Sequence, residues 1–231
     1  MSEPIFNGLA IKVVSSTGNV YSRTAMSLCR SLVELSKLNV PVELAIVTQT
    51  EGKDEAQNLS CAQFLETEFS HLLLIKDGMV WEPTDIIRLI RAKKNIIGGV
   101  HVEPTEETRF RLSPKVDEES KAKVEKNCLE VEFVGAEFIL VTRHSLQVMR
   151  DGFDPETAFQ APNNDGHISI YPWFRKEVRD GKLVSSDYIF CESWKNTGGH
   201  TWVEVSAAIE RVAPASYRET IDKLLVLSKQ A

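Results

Sequence analysis

The stretch HLLLIKDGMVWEPTDIIRLIRAKKNIIGGVHVEP, from His71 to Pro104, decides the fold. His71 to Ile75 is short and apolar, the pattern of a strand covered on both faces of a parallel sheet. Lys76-Asp77-Gly78 breaks it. Pro83-Thr84-Asp85 then opens a helix with Ile86, Ile87, Leu89 and Ile90 turned inward, and Lys93 and Lys94 lie near its C-terminal end. Asn95 to Val100 (NIIGGV) reads as the next strand. Strand, helix and strand in this order imply two parallel strands joined by a crossover.

The same alternation extends toward the N-terminus. Leu9 to Ser15 (LAIKVVS) and Val42 to Thr48 (VELAIVT) read as strands. Between them, Ser22 to Leu38 places Ala25, Leu28, Cys29, Leu32, Val33 and Leu35 near helical spacing. Asp54 to Thr67 reads as a helix capped by Asp54, burying Leu59, Ala62, Phe64 and Leu65. Toward the C-terminus, Arg109–Ser113 and Leu129–Phe133 look like antiparallel or edge strands, and Val134–Thr142 like one buried strand followed by a helix from Arg143 to Arg150. A helix from Ser186 to Asn196 ends at Gly198-Gly199, a strand covers Thr201–Val205, and Ser216–Leu227 has the pattern of a closing amphipathic helix. These elements imply an α/β fold with a mixed central sheet flanked by helices. In such sheets ligands bind beyond the carboxyl ends of the strands, which groups Ser15–Gly18, Gln49–Gly52 and Lys76–Gly78 around one crevice.

Composition narrows the function classes. The 231 residues are 42% hydrophobic and 26% charged, as in a folded globular chain, with no apolar run long enough to span a membrane. Nothing at the N-terminus resembles a signal peptide, so a cytoplasmic location is expected. A formal net charge of −6 argues against non-specific binding to nucleic acid or anionic membrane. Cys29, Cys61, Cys128 and Cys191 are scattered and expected to be buried free thiols. The five histidines (His71, His101, His144, His167, His200) lack zinc-enzyme spacing, and Gly18 and Gly52 lack dinucleotide or P-loop contexts. The polar stretch from Pro104 to Asn127 reads as an excursion with a mobile, charged loop at Asp117–Lys121.

Four segments in order, His71–Pro104, VEFVGAEFILVTRHSL (Val131–Leu146), YPWF (Tyr171–Phe174) and SSDYIFCESWKNTGGHTWVE (Ser185–Glu204), resemble small family-2-like glycosyltransferases of phage and bacterial type. The resemblance covers roughly residues 8 to 213. It implies a single-domain GT-A fold (nucleotide-diphospho-sugar transferase-like), with a nucleotide-binding half at about 8–104, an acceptor half at about 105–213 and a C-terminal helix at about 216–228. It also implies transfer of a sugar, with inversion, from a nucleoside diphosphate donor to an unknown acceptor. A glycan, or modified nucleic acid by analogy, would fit the acceptor role, and an oligomer is compatible with it.

The resemblance assigns roles to residues. Asp187 matches an aspartate that acts as general base on the acceptor hydroxyl; as a plain residue it would equally suit a helix N-terminus. Thr17, Gln57, Asn58, Lys76, Asp77 and Gly78 would line the donor side, and His101, Glu137 and Trp194 the acceptor side or its lid. Trp81, Trp173 and Trp202 match core aromatic positions.

Three departures mark the site. The family's Asp-x-Asp, which holds a Mn or Mg ion, aligns on Lys76 and Gly78, leaving Asp77 on the opposite side of an extended chain. A later metal-binding histidine aligns on Arg211, and a glycine on the acceptor side on Glu137. Either Lys76 and Arg211 hold the diphosphate in place of a metal, or the donor site has decayed and the chain is a non-catalytic GT-A-like module.

Overall fold

The computed structural model describes residues 4–48, 52–103, 109–116, 121–163, 166–212 and 217–218. In chain order the strands of the first half are β1 (Leu9–Ser15), β2 (Val42–Thr48), β3 (His71–Lys76), β4 (Met79–Val80), β5 (Ile96–Val100), β6 (Val102–Glu103), β7 (Arg109–Phe110) and β8 (Leu112–Pro114). They are followed by β9 (Val124–Glu125), β10 (Cys128–Val134), β11 (Phe138–Thr142), β12 (Phe159–Asn163), β13 (Gly166–Ile170), β14 (Glu177–Arg179), β15 (Lys182–Val184), β16 (Thr201–Ala208), β17 (Glu210–Arg211) and β18 (Tyr217–Arg218). The α-helices among the described residues are α1 (Ser22–Lys37), α2 (Lys53–Leu65), α3 (Pro83–Arg91), α4 (Arg143–Asp151) and α5 (Ser186–Asn196).

The main sheet runs β2-β1-β3-β11-β5-β16-β10-β8, with β9 added beside β10. β1 pairs parallel with both β2 and β3, and β5 parallel with β16. β11 runs antiparallel between β3 and β5, so the sheet is mixed, as expected. The core sits on both faces of β3 and β11, where Leu72 to Ile75 and Phe138 to Val141 are buried.

Local chemistry explains several element ends. A reciprocal capping box between Glu82 and Asp85, with Pro83 in the first turn, starts α3. Gly198 closes α5 at φ +83°, a left-handed conformation that glycine adopts without a Cβ penalty. Beside it, a Cβ on Gly199 would collide with the Trp194 indole, so the pair ends the helix and packs its aromatic.

Several sequence expectations are corrected. The helix expected from Asp54 starts at Lys53 after Gly52, and Asp54 is not its cap; its carboxylate accepts from the Ser186 hydroxyl at 2.6 Å instead. The stretch expected as one strand, Val134–Thr142, is divided by a turn at Gly135-Ala136-Glu137, held by Gly135 N–H donating to Arg111 O (2.8 Å) and Lys76 N–H donating to Glu137 O (2.8 Å). The buried face of α1 carries Thr24, Ser27 and Ser31 beside Leu28 and Leu35, while Val33 and Cys29 are exposed. The three hydroxyls account for this: Thr24 donates to Met79 O (2.9 Å), Ser27 donates to Trp81 O (2.8 Å), and Ser31 accepts from Trp81 Nε1 (2.9 Å). Of the closing helix, Tyr217–Arg218 are described and form β18; the rest, with Gln49–Glu51 and Asp117–Ser120, lies outside the described residues. Hairpins β12–β13 and β14–β15 have no counterpart in the sequence reading. No helix among the described residues is long and apolar enough to cross a membrane.

Candidate functional site

The site lies at the carboxyl ends of β3 and β5. Because β11 is antiparallel to both, the turn before it opens on the same edge and delivers Glu137 there. Lys76 ends β3, and His101 follows β5 directly. β17 pairs antiparallel with β4 in the register Arg211↔Met79, which carries Arg211 back to the turn after β3. Val212 N–H donates to Gly78 O at 2.7 Å and fastens that return. Gly78 sits at φ +89°, where other residues would be strained. Lys53 comes from the first turn of α2 and Asp187 from the first turn of α5.

Lys53, Asp187, Arg111 and Glu137 form a closed ring of ion pairs. Lys53 Nζ lies 2.9 Å from Asp187 Oδ1, and Arg111 donates to Asp187 Oδ2 at 2.6 Å. Arg111 also donates to Glu137 Oε1 at 2.8 Å, and Lys53 approaches that oxygen at 3.7 Å. Asp187 and Glu137 are almost wholly buried, while Lys53 and Arg111 are partly exposed at the rim. Lys76 and His101 act electrostatically on Glu137, and Arg211 acts on Lys76 and His101. Among the described residues neither Lys76 nor Arg211 pairs with a carboxylate.

The charges shift one another. Burial pushes the Lys76 ammonium below its usual pKa, and Arg211, Lys53 and Arg111 add to this against Glu137. Burial lowers His101 to about 4, leaving the imidazole neutral at pH 7. Burial alone would raise Glu137, but Lys53, Arg111, His101 and Lys76 hold its carboxyl below the usual range. Four cations against two carboxylates make the cluster net positive in a chain whose formal net charge is −6.

The remaining sequence candidates are placed as follows. Thr17 is exposed in the loop after β1, its hydroxyl accepting from Asn19 N–H at 3.3 Å. Gln57 is buried against the Glu137 turn, with Nε2 donating to Ala136 O at 3.0 Å. Asn58 clamps the YPWF segment instead of facing the cleft, donating to Phe174 O (2.8 Å) and accepting from Phe174 N–H (2.7 Å). Asp77 Oδ1 accepts from Tyr21 N–H (3.0 Å) and Gly78 N–H (2.8 Å), so its carboxylate holds the turn against α1. Trp194, expected on the acceptor side, is 0% exposed and packs in the core, its Nε1 donating to His200 O at 3.1 Å. Arg111 and Lys53 were missed from sequence. Arg111 lies in a short irregular stretch, and Lys53 in a first helical turn, where a lysine ordinarily reads as solvated.

The residues present do not fit a divalent cation. The positions that the resemblance aligns with metal ligands carry the Lys76 ammonium and the Arg211 guanidinium, and the Asp77 carboxylate is turned to backbone donors. Among the described residues no group of three or more His, Cys, Asp or Glu gathers as metal ligands do.

No protein-family model matches the sequence, and no curated protein matches it. Solved structures do. A197 from STIV is 13% identical with a TM-score of 0.50, covering 88% of this chain and 85% of that one. The fold, α/β with a mixed central sheet flanked by helices, is like that of A197. The catalytic domain of Drosophila β1,4-galactosyltransferase 7, solved with xylobiose, is 10% identical (TM-score 0.47), with 86% of this chain and 66% of that one covered. The inositol-1-phosphate CTP transferase from T. maritima is 14% identical (TM-score 0.43), with 90% of each chain covered. At these identities the likeness is one of fold alone.

Proposed function

We propose that the cleft binds the diphosphate of a nucleoside diphosphate sugar without a metal and that the chain transfers the sugar to an acceptor hydroxyl with inversion. The observation that carries this reading is the meeting of Lys53, Lys76, Arg111 and Arg211, from four separate segments, at the carboxyl ends of the strands. Lys76 and Arg211 would bind the diphosphate directly and meet the charge developing on the leaving group. Thr17 would stand on the nucleotide side. Asp187 would take the proton of the acceptor hydroxyl. Both its oxygens are engaged by Lys53 and Arg111, so an incoming diphosphate must draw those cations away before it can act as a base.

The same ion ring favours a second reading. Its cations are partly neutralised from within, as in a GT-A-like binding module that no longer handles a donor.

A thermal-shift screen separates the two. UDP, GDP, CDP and dTDP, with their sugar conjugates, are added with manganese or with EDTA. The transferase reading expects at least one nucleotide to raise the melting temperature equally under both conditions, and Lys76→Ala and Arg211→Ala each to weaken its binding about tenfold or more. Stabilisation near 2.7 kcal/mol is expected at about 100 times the Kd. If no nucleotide shifts the transition with or without metal, the module reading stands and the transferase reading falls.

A further inference from the structure

Among the described residues, three buried side-chain polar atoms have no hydrogen-bond partner: Gln57 Oε1, His101 Nε2 and Glu137 Oε2. Their residues are 1%, 2% and 2% exposed. They come from α2, from the end of β5 and from the turn before β11, yet they gather at that turn. Gln57 is tied to it through Ala136 O, Glu137 belongs to it, and His101 has Glu137 as its facing carboxylate. Gly135 lets the carboxylate lie against the backbone, since a Cβ there would collide with Glu137 Oε2.

An unpaired buried polar atom costs roughly 1–3 kcal/mol, so three at one place point to something that fills them. We propose that Glu137, Gln57 and His101 form a subsite for the hydroxyl groups of an uncharged sugar. A carboxylate oxygen and an amide oxygen only accept hydrogen bonds, so the occupant must bring O–H donors. It must also lack a carboxylate of its own, because Glu137 Oε2 would repel one. The neighbouring cations do not change this, as on the transferase reading the diphosphate occupies them. Lys53 and Arg111 are 23% and 30% exposed, on the solvent side of the ring. The assignment rests on the transferase reading and narrows it to donors carrying a neutral, hydroxyl-rich sugar.

The test is calorimetric and separates the two claims. Wild type, Glu137→Gln and His101→Phe are each titrated with UDP, GDP, CDP, dTDP and the glucose conjugate of each. For the nucleotide that binds, the glucose conjugate is expected to bind wild type about tenfold or more tightly than the bare diphosphate, and each variant to cut that gain to threefold or less. The bare diphosphate should bind Glu137→Gln at least as tightly as wild type, since Lys53 and Arg111 lose a competing anion. If the diphosphate binds but glucose adds nothing, or if the gain survives both variants, the three atoms hold structural water and the subsite is overturned. If no diphosphate binds, the transferase reading itself falls and the subsite with it. His101→Phe guards against a folding defect, because it replaces an unpaired polar ring with an apolar one.

Discussion

At the residue scale, two buried histidines set the acid response of the fold. Burial lowers both His71 and His101 to about 4, against an ordinary value of 6.5. Between those values the unfolded chain binds protons that the folded chain does not. Stability is therefore fully present above pH 6.5 and falls as the pH drops toward 4, by up to about 3 kcal/mol per histidine. Urea unfolding from pH 7.5 to 4.5 should show this decline, and the double variant His71→Phe/His101→Phe should flatten it. An equally steep decline in the double variant would assign it to carboxylates. Glu130 acts at lower pH: burial opposes it, but hydrogen bonds from Lys115, His200 and Lys123 bring its carboxyl to about 2, so its contribution is lost below the ordinary carboxylate range.

At the element scale, the end of α2 depends on a residue far away in sequence. Arg143, the first residue of α4, donates from its guanidinium to Phe69 O (2.9 Å), Leu65 O (3.0 Å), Phe64 O (3.0 Å) and Thr67 O (2.5 Å). These include carbonyls that a helix C-terminus leaves without partners. Arg143→Met keeps the aliphatic stem and removes the donors, and should cost about 3 kcal/mol, read as a lower urea midpoint. A change below about 0.5 kcal/mol would mean that solvent satisfies those carbonyls equally well. The same scale shows where sequence patterning succeeded and failed. The apolar run of β3 and the Pro83-Thr84-Asp85 start of α3 were legible because their signals are local. The buried face of α1 was not, because Thr24, Ser27 and Ser31 are buried by hydrogen bonds to the segment from Met79 to Trp81, some 50 residues on.

At the scale of the whole molecule, the four thiols report on global opening. Cys29 is exposed, contrary to the expectation that all four would be buried, while Cys61, Cys128 and Cys191 are buried. Burial pushes Cys128 up to about 11 and Cys191 to about 12, and raises Cys61 as well, so none of the three is a ready thiolate. Ellman's reagent should titrate one thiol rapidly in the native protein, with the other three following at the rate of unfolding in urea. Fast reaction of a second thiol would show that part of the core opens locally.

The sequence by itself determined the alternation of elements and the mixed α/β class, because periodicity, breakers and strand–helix–strand crossovers are local or nearly local signals. It also brought Lys76, Glu137, Asp187 and Arg211 forward as candidates. Only the tertiary structure decided how they meet. The antiparallel insertion of β11 turns Glu137 into the cleft, the β4–β17 pairing returns Arg211 to the turn after β3, and Lys53 and Arg111 close a ring that no motif encodes. It also moved Trp194 into the core and turned Asp77 onto the α1 backbone. The physical reason is the same in each case. Burial and pairing of a charge depend on chain segments far apart in sequence, and their contacts exist only once the sheet has assembled.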